Sequence, residues 1–161
     1  WFLGSYFLAA AFALAPWLRI VKRWGLERAW LAGMLLAVAV FAFASQLGAG
    51  DANAFLAVCV LSGMAMAADL ALPGALLAGV IARQSSAASG RFFGCWNLAT
   101  KLNLALAAGL ALPLLASFGY APGSRSAEGL QALTWAYCLL PCALKLMAAG
   151  LLYFLLLRKS P

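Results

Sequence analysis

The chain has 161 residues, of which 66% are hydrophobic and 9% are charged, and its formal net charge is +7. Soluble domains carry about 25% charged residues, so the composition excludes an ordinary water-soluble fold. The basic residues cluster at the ends of apolar segments without a basic–aromatic stripe, which excludes a nucleic-acid-binding surface.

Five long apolar segments predict an all-α polytopic membrane protein with five transmembrane helices. A spanning helix needs about 20 apolar residues. These segments are too long and unbroken for barrel strands, in which polar and apolar residues alternate. Because the connections are short, we expect neighbouring spans to be antiparallel and to form a single bundle over residues 1–161. The predicted spans are residues 1–18, 30–46, 54–82, 92–118 and 132–157.

The basic residues predict how the spans are oriented. Alternate connections and the C-terminus carry most of them, and the positive-inside rule places these in the cytoplasm. We therefore expect a protein of the plasma membrane, in a bacterium the inner membrane, with a cytoplasmic C-terminus. The basic set is Arg19, Lys22, Arg23, Arg28, Arg83, Arg91, Arg158 and Lys159, with the acid Glu27; the opposite set is Asp51, Arg125 and Glu128.

The first span begins at Trp1 without an initiating Met or a basic leader. With the orientation above, it starts on the outer side of the membrane. A chain with an odd number of spans, the first of which starts on the outer side, is an unusual design for a complete protein. We therefore expect a fragment of a longer protein, and a complete five-span protein is the alternative.

Three charged residues, Asp69, Lys101 and Lys145, lie deep inside the predicted spans. Counted from the basic residue at the cytoplasmic end of each span, Lys101 lies about 15 Å deep, Lys145 about 20 Å and Asp69 about 21 Å. A charge at this depth costs roughly 2.5–3.5 kcal/mol and usually faces a cavity or a partner. The three residues therefore predict a polar site inside the membrane.

Lys101 has polar neighbours on its own helix. Asn97 is one turn before it on the same face, and Thr100 lies at the flank of that face. Trp96 lies about 140° away around the helix. We interpret Lys101 and Asn97 as cavity residues; the alternative is that the polar groups only join helices and that Lys101 forms a structural pair with Asp69.

Each of the other two charges lies one turn from a proline. Pro73 follows Asp69 by four residues and removes the donor for the Asp69 carbonyl, so a bend and a cation- or proton-linked site are both possible. Lys145 follows Pro141 by four residues. We expect Asp69 to pair with a lysine, Lys101 by preference, and we leave Lys145 as a secondary polar site.

An enzyme and a cofactor or metal site are not expected. The chain has no histidine, which removes the commonest general base and metal ligand. It also lacks the paired carboxylates of acid–base sites. The cysteines show no CxxC spacing and are expected to pack as small apolar residues. They are Cys59, Cys95, Cys138 and Cys142.

Four segments resemble, in order, the glycoside–pentoside–hexuronide:cation symporter family of the major facilitator superfamily. The resemblance covers most of the chain and corresponds to spans eight to twelve of a twelve-span carrier, a partial C-terminal helix bundle. The basic segment 19–28 resembles a second copy of the basic inter-helix motif of the superfamily. The four segments are GMAMAADLALPGALLAGVI (63–81), GRFFGCWNLATKLNLALAAGLALPLL (90–115), GYAPG (119–123) and LLPCALK (139–145).

The resemblance implies uptake of a sugar-like solute, coupled to protons or sodium, by alternating access. It places Lys101 in the sugar and cation region, with Trp96, Asn97 and Thr100 beside the sugar. Gly79 and Ala82 stand where many members have an acidic pair, which puts the usual cytoplasmic gate in doubt. The missing N-terminal helices of the carrier are then the expected partner, with the lipid bilayer and the solute.

Two alternatives stay open beside this hypothesis. Relatives in the same superfamily move lysolipids, and a similarly placed lysine binds the headgroup. The chain is alternatively a non-transporting membrane subunit or a truncated remnant.

Overall fold

A computed structural model describes residues 1–48, 50–83, 89–117 and 134–157, and its regular elements in these ranges are all helical. The helices are α1 (Phe2–Trp24), α2 (Leu26–Ala44), α3 (Ala52–Arg83), α4 (Ser89–Ser117) and α5 (Leu140–Leu152); π-helical turns flank α5 at Trp135–Leu139 and Tyr153–Leu157.

Five of the described segments are long and apolar enough to cross a membrane. They are Phe2–Trp24, Leu26–Ala44, Ala52–Arg83, Gly90–Ser117 and Trp135–Leu156. Helices satisfy every backbone donor and acceptor internally, which the hydrocarbon interior of a bilayer requires. The all-α fold class with five transmembrane helices is confirmed.

The predicted connection 19–29 is helical except at one residue. α1 continues to Trp24 and α2 begins at Leu26, so only Gly25 separates them. Gly25 has φ 83° and ψ 167°, a conformation that is essentially restricted to glycine. Arg and Lys are good helix formers, and they are favourable in the last turn, where the helix dipole is negative. A charge can therefore end a membrane span without ending the helix.

The second connection is a short turn held by Asp51. Its Oδ2 accepts a hydrogen bond of 3.0 Å from the backbone N–H of Gly48, and its carbonyl accepts one of 2.8 Å from Phe55. α3 begins directly after this residue. Most of the other two predicted connections (84–88 and 118–131) and the basic C-terminal residues, Arg158 and Lys159, lie outside the described residues.

The chain divides into two compact units, Trp1–Leu76 with Cys138–Pro161, and Leu77–Tyr137. The first unit contains α1, α2, most of α3 and α5, and the second contains α4. A single bundle for the whole chain stays a prediction.

The core of the first unit consists mainly of alanines between α1, α2 and α3. Trp17 of α1 is buried among them, and its indole N–H donates a 2.8 Å hydrogen bond to the carbonyl of Met64 in α3. Small residues let helix backbones approach closely, which is how membrane helices gain packing energy. The buried residues of this cluster are Ala10, Ala13, Trp17, Ala29, Ala67, Ala68 and Leu72.

A second cluster joins α5 to α2. It contains Met34 of α2 with Ala149 and Leu152 of α5. Trp30 packs against both clusters, so α2 lies between α5 on one side and α1 with α3 on the other.

Candidate functional site

An ion pair joins α3 to α5 in the first unit. The ammonium of Lys145 donates to Oδ2 of Asp69. Each side chain is 27% exposed, so neither is fully enclosed by protein. Both helices are otherwise apolar around these positions, and a lone charge there would be costly. Each residue supplies the opposite charge that the other needs.

Tyr6 of α1 adds a third polar group to the pair. Its hydroxyl donates to the sulfur of Met66 in α3, three residues before Asp69 in the same helix. A thioether is a weak acceptor compared with a carboxylate. We call Tyr6, Asp69 and Lys145 the polar cluster; it connects α1, α3 and α5.

Close helix packing places Asp69 where it can meet these partners. A Cβ on Gly33 of α2 would lie 2.6 Å from the Cβ of Ala68, which is far inside contact distance. A Cβ on Gly63 would overlap the backbone carbonyl oxygen of Tyr6. Glycine at these two places therefore lets α1 and α2 press directly against the segment of α3 that carries Asp69.

Both charged residues lie one turn from a proline within their spans. Pro73 is inside α3, and because it has no N–H it leaves the Asp69 carbonyl without its helical donor. Pro141 is in the first turn of α5, directly after the π-helical turn Trp135–Leu139. π-turns shift the hydrogen-bond register by one residue and are frequent at functional sites.

The structure gives Asp69 a different partner from the one the sequence suggested. We expected Lys101, and the Asp69 carboxylate instead pairs with Lys145, whose own partner the sequence left open. Lys101 belongs to the second unit. Lys145 therefore belongs to the polar cluster, and its role as a secondary polar site stays a prediction.

Asp69 and Lys145 lie at nearly the same depth in their spans, a sequence signal that is compatible with their pairing but does not by itself select it. Asp69 and Lys145 lie 14 and 13 residues before the basic residue that ends each span, whereas Lys101 lies ten residues after its own. Tyr6, which the hydropathy pattern does not single out, lies 13 residues before Arg19. Three parallel spans thus carry polar groups at the same depth, about 20 Å from their basic ends.

The polar face of α4 is exposed in the second unit. Trp96, Asn97, Thr100 and Lys101 are all exposed, as is every side chain over residues 91–110. The Thr100 hydroxyl donates a 2.9 Å hydrogen bond to the carbonyl of Asn97, so its hydrogen already has an acceptor within the helix. Asn97 and Lys101 share one face of a helix, as predicted from their spacing.

The basic residues of the first connection are exposed at helix ends. Lys22 and Arg23 are in the last turn of α1, with Arg19 one turn earlier and Arg28 in the first turns of α2. All four are exposed. Exposed positive charge on both sides of Gly25 is typical of the cytoplasmic end of a helical hairpin.

A groove of about 380 Å³ lies between α1 and α3 and is entirely apolar. Its lining is Ala10, Ala11, Leu14, Ala67, Leu70 and Ala71. A sugar needs hydrogen-bond partners for its hydroxyl groups, and these side chains offer none. The groove is therefore not the expected site for a sugar-like solute.

The four cysteines are free thiols, and one of them joins two helices. Cys142 of α5 is buried, and its S–H donates to the carbonyl of Val38 in α2 at 3.6 Å. This weak hydrogen bond lies one turn before Lys145. The expectation that the cysteines pack as small apolar groups fits this one, which also gives a chemical probe beside the ion pair.

A charged pair inside apolar, membrane-length helices is typical of transport proteins, and comparison with known families agrees. The model for the family described as MFS/sugar transport protein matches residues 1–159. The chain belongs to this family. The major facilitator membership inferred from the sequence is thereby confirmed, and the MFS/sugar transport family is one of transporters rather than of enzymes. Searches of curated proteins and of solved structures found no significant match.

Proposed function

We propose that this chain is the C-terminal portion of a secondary active transporter that takes up a sugar-like solute, coupled to protons or sodium, by alternating access. The observation that carries the proposal is the family match over residues 1–159, in a chain whose long apolar helices carry a charged pair. Carriers of this general kind have their sites near the middle of the membrane.

Lys101 and Asn97 are the residues we assign to the solute region. They lie one turn apart on the exposed face of α4, so an ammonium and an amide point from the same surface. Together they offer donors and an acceptor to solute hydroxyl groups. Trp96 has an exposed indole that could stack on a sugar ring, and Thr100 flanks this face.

The charges of the spans support a function for Lys101. The predicted spans contain one acid, Asp69, and two lysines. Since Asp69 pairs with Lys145, Lys101 needs another polar partner to lie stably in the membrane. In the proposed carrier, the solute region and the N-terminal helices provide that partner.

The test is uptake by the complete reading frame that contains these residues, reconstituted in proteoliposomes. Sugars are supplied under an imposed sodium or proton gradient, and Lys101→Ala is compared with the unchanged protein. We expect Lys101→Ala to insert into the membrane normally, because insertion does not require this ammonium group. The variant should lose active uptake, because the solute site loses its positive charge. Lys22→Ala, at the exposed end of α1, is the matched control and should retain uptake.

Two results would contradict the proposal. If Lys101→Ala takes up solute at the unchanged rate, the assignment of Lys101 to the solute site is wrong. Competition by a lysophospholipid, with none by any sugar, overturns the solute class and favours the lysolipid alternative.

A further inference from the structure

We infer that the apolar groove between α1 and α3 holds one acyl chain of an anionic phospholipid, whose headgroup lies at the basic end of α1. The groove volume of about 380 Å³ is within the usual range of small-molecule sites. Of the residues that line it, Ala10 and Ala67 are buried. Leu14 and Leu70 are larger and exposed, so the small buried side chains lie at the bottom of a recess between them.

The lining of the groove suits a hydrocarbon chain. All six lining side chains are alanine or leucine, and they offer no partner to a polar group. Within a bilayer, an apolar ligand gains close packing rather than removal from water. An α-helix is about 10–12 Å across with its side chains, so a helix would cover this recess without filling it, whereas an acyl chain is thin enough to enter.

The groove side of α1 leads to a positive charge. Leu18 is one turn beyond Leu14 and is exposed, and Lys22 follows after one more turn. At about 100° per residue, Lys22 lies only about 20° from the groove residue Ala11 around the helix. The Lys22 side chain, which is exposed, therefore begins on the same side of α1 as the groove.

The spacing along α1 matches one leaflet of a membrane. Lys22 is 12 residues beyond Ala10 and eight beyond Leu14, so the groove lies about 12–18 Å from it along the helix axis. One leaflet of the hydrocarbon core is about 15 Å thick. Trp24 is 58% exposed, and exposed tryptophans are typical of the headgroup level. A phospholipid whose phosphate meets Lys22 would therefore place its acyl chain in the groove.

The charge at this end of α1 favours an anionic headgroup. The segment 19–28 contains four basic residues and one acid, Glu27. Basic residues beside a span attract anionic lipids, and each contributes about fivefold in affinity. A zwitterionic headgroup gains less, because it carries a cation beside its phosphate. The four basic side chains, all exposed, are Arg19, Lys22, Arg23 and Arg28.

Photo-cross-linking locates the acyl chain. The complete reading frame that contains these residues is purified in detergent with phosphatidylglycerol that carries a diazirine in the middle of one acyl chain. We expect labelled peptides from α1 and α3 that contain the groove residues. Unlabelled phosphatidylglycerol should compete about fivefold better than phosphatidylcholine with the same chains. Inorganic phosphate should not compete, because it has no chain to enter the groove.

Four variants separate the groove from the headgroup contact. Ala11→Phe and Ala71→Phe fill the groove from opposite sides at exposed positions, so they do not crowd the core, and both should lose most of the labelling. Ala148→Phe, at an exposed position of α5, is the matched control and should be labelled like the unchanged protein. Lys22→Gln should keep the labelled position and reduce the preference for phosphatidylglycerol about fivefold.

Three results would each overturn the inference. Unchanged labelling of both groove-filling variants would mean that the chain does not lie in the groove. An unchanged protein without label in α1 and α3 would mean that another helix covers the groove. Equal competition by phosphatidylglycerol and phosphatidylcholine would mean that the basic residues do not select the headgroup.

The lipid site is independent of the proposed function, and the lipid is assigned no part in uptake. Cross-linking needs no solute and no gradient. A carrier that fails to transport sugars would therefore leave the lipid result intact, and a groove without lipid would leave the proposed transport intact.

Discussion

The charged side chains of the spans have unequal surroundings. Asp69 and Lys145 neutralise each other, and removing one partner would leave an uncompensated charge within a membrane span, which is costly. Lys101 is exposed on α4, where its surroundings depend on what lies beside that helix. Asp69 and Lys145 therefore join α3 to α5, and Lys101 is the residue that the proposed function assigns to the solute.

Gly63 is the residue at which the packing of α1 on α3 is tightest. We expect Gly63→Ala to lower stability by about 1–3 kcal/mol, because its Cβ would meet a backbone oxygen that has no room to retreat. The midpoint of thermal unfolding in detergent measures the effect. Gly74→Ala, in the same helix with open space around it, is the control and should be neutral or slightly stabilising.

An unchanged midpoint for Gly63→Ala would mean that α1 does not press on α3 at this point.

At the first connection, α1 and α2 extend beyond the spans that their hydropathy predicts. α1 reaches Trp24, six residues past the predicted span end, and α2 begins at Leu26, four residues before its predicted span. The hydropathy pattern indicates where the chain leaves the hydrocarbon core of the membrane. Backbone hydrogen bonding and side-chain propensity determine where the helix ends. The basic residues after the first span therefore lie on helical turns rather than in a loop.

Gly25 sets the angle between α1 and α2. Its φ of 83° with ψ of 167° is essentially closed to residues with a Cβ, so Gly25→Ala should cost about 1–3 kcal/mol. The midpoint of thermal unfolding, followed by circular dichroism, measures this loss of stability. Gly4→Ala, in the first turn of α1 with nothing within 4 Å, tests the generic effect of a glycine-to-alanine change. Equal midpoints for the two variants would refute the strained turn.

At the scale of the whole molecule, charge distribution determines the proposed orientation. The basic residues around Gly25 are exposed, and the opposite turn carries Asp51. Translocation of positive charge is disfavoured, so the basic turn and the C-terminus are expected in the cytoplasm.

Reporter fusions in a bacterial host test this orientation. Alkaline phosphatase joined after Gly48 should be active, since it folds outside the cytoplasm, and green fluorescent protein joined after Pro161 should fluoresce. In the controls the two reporters exchange positions. Alkaline phosphatase after Pro161 should be inactive, and green fluorescent protein after Gly48 should not fluoresce. The reverse pattern would invert the proposed topology.

The sequence by itself determined the fold class, the five spans and the expectation that a lysine neutralises Asp69. Composition and segment length are sufficient for these conclusions because the bilayer penalises every unpaired polar group. The equal depth of Tyr6, Asp69 and Lys145 was also present in the sequence. Depth alone does not say which of several helices are neighbours, so it could not by itself choose Lys145 over Lys101.

Only the tertiary structure decided the partner of Asp69. The choice depends on how α2, α3 and α5 pack together, and contacts between small residues, such as Gly33 of α2 with Ala68 of α3, place α3 against α2. Small residues are common throughout this chain, so their pattern does not single out a pair of helices in advance. The sequence also did not predict that only Gly25 separates α1 from α2. A charged segment is compatible both with a loop and with an exposed helix end.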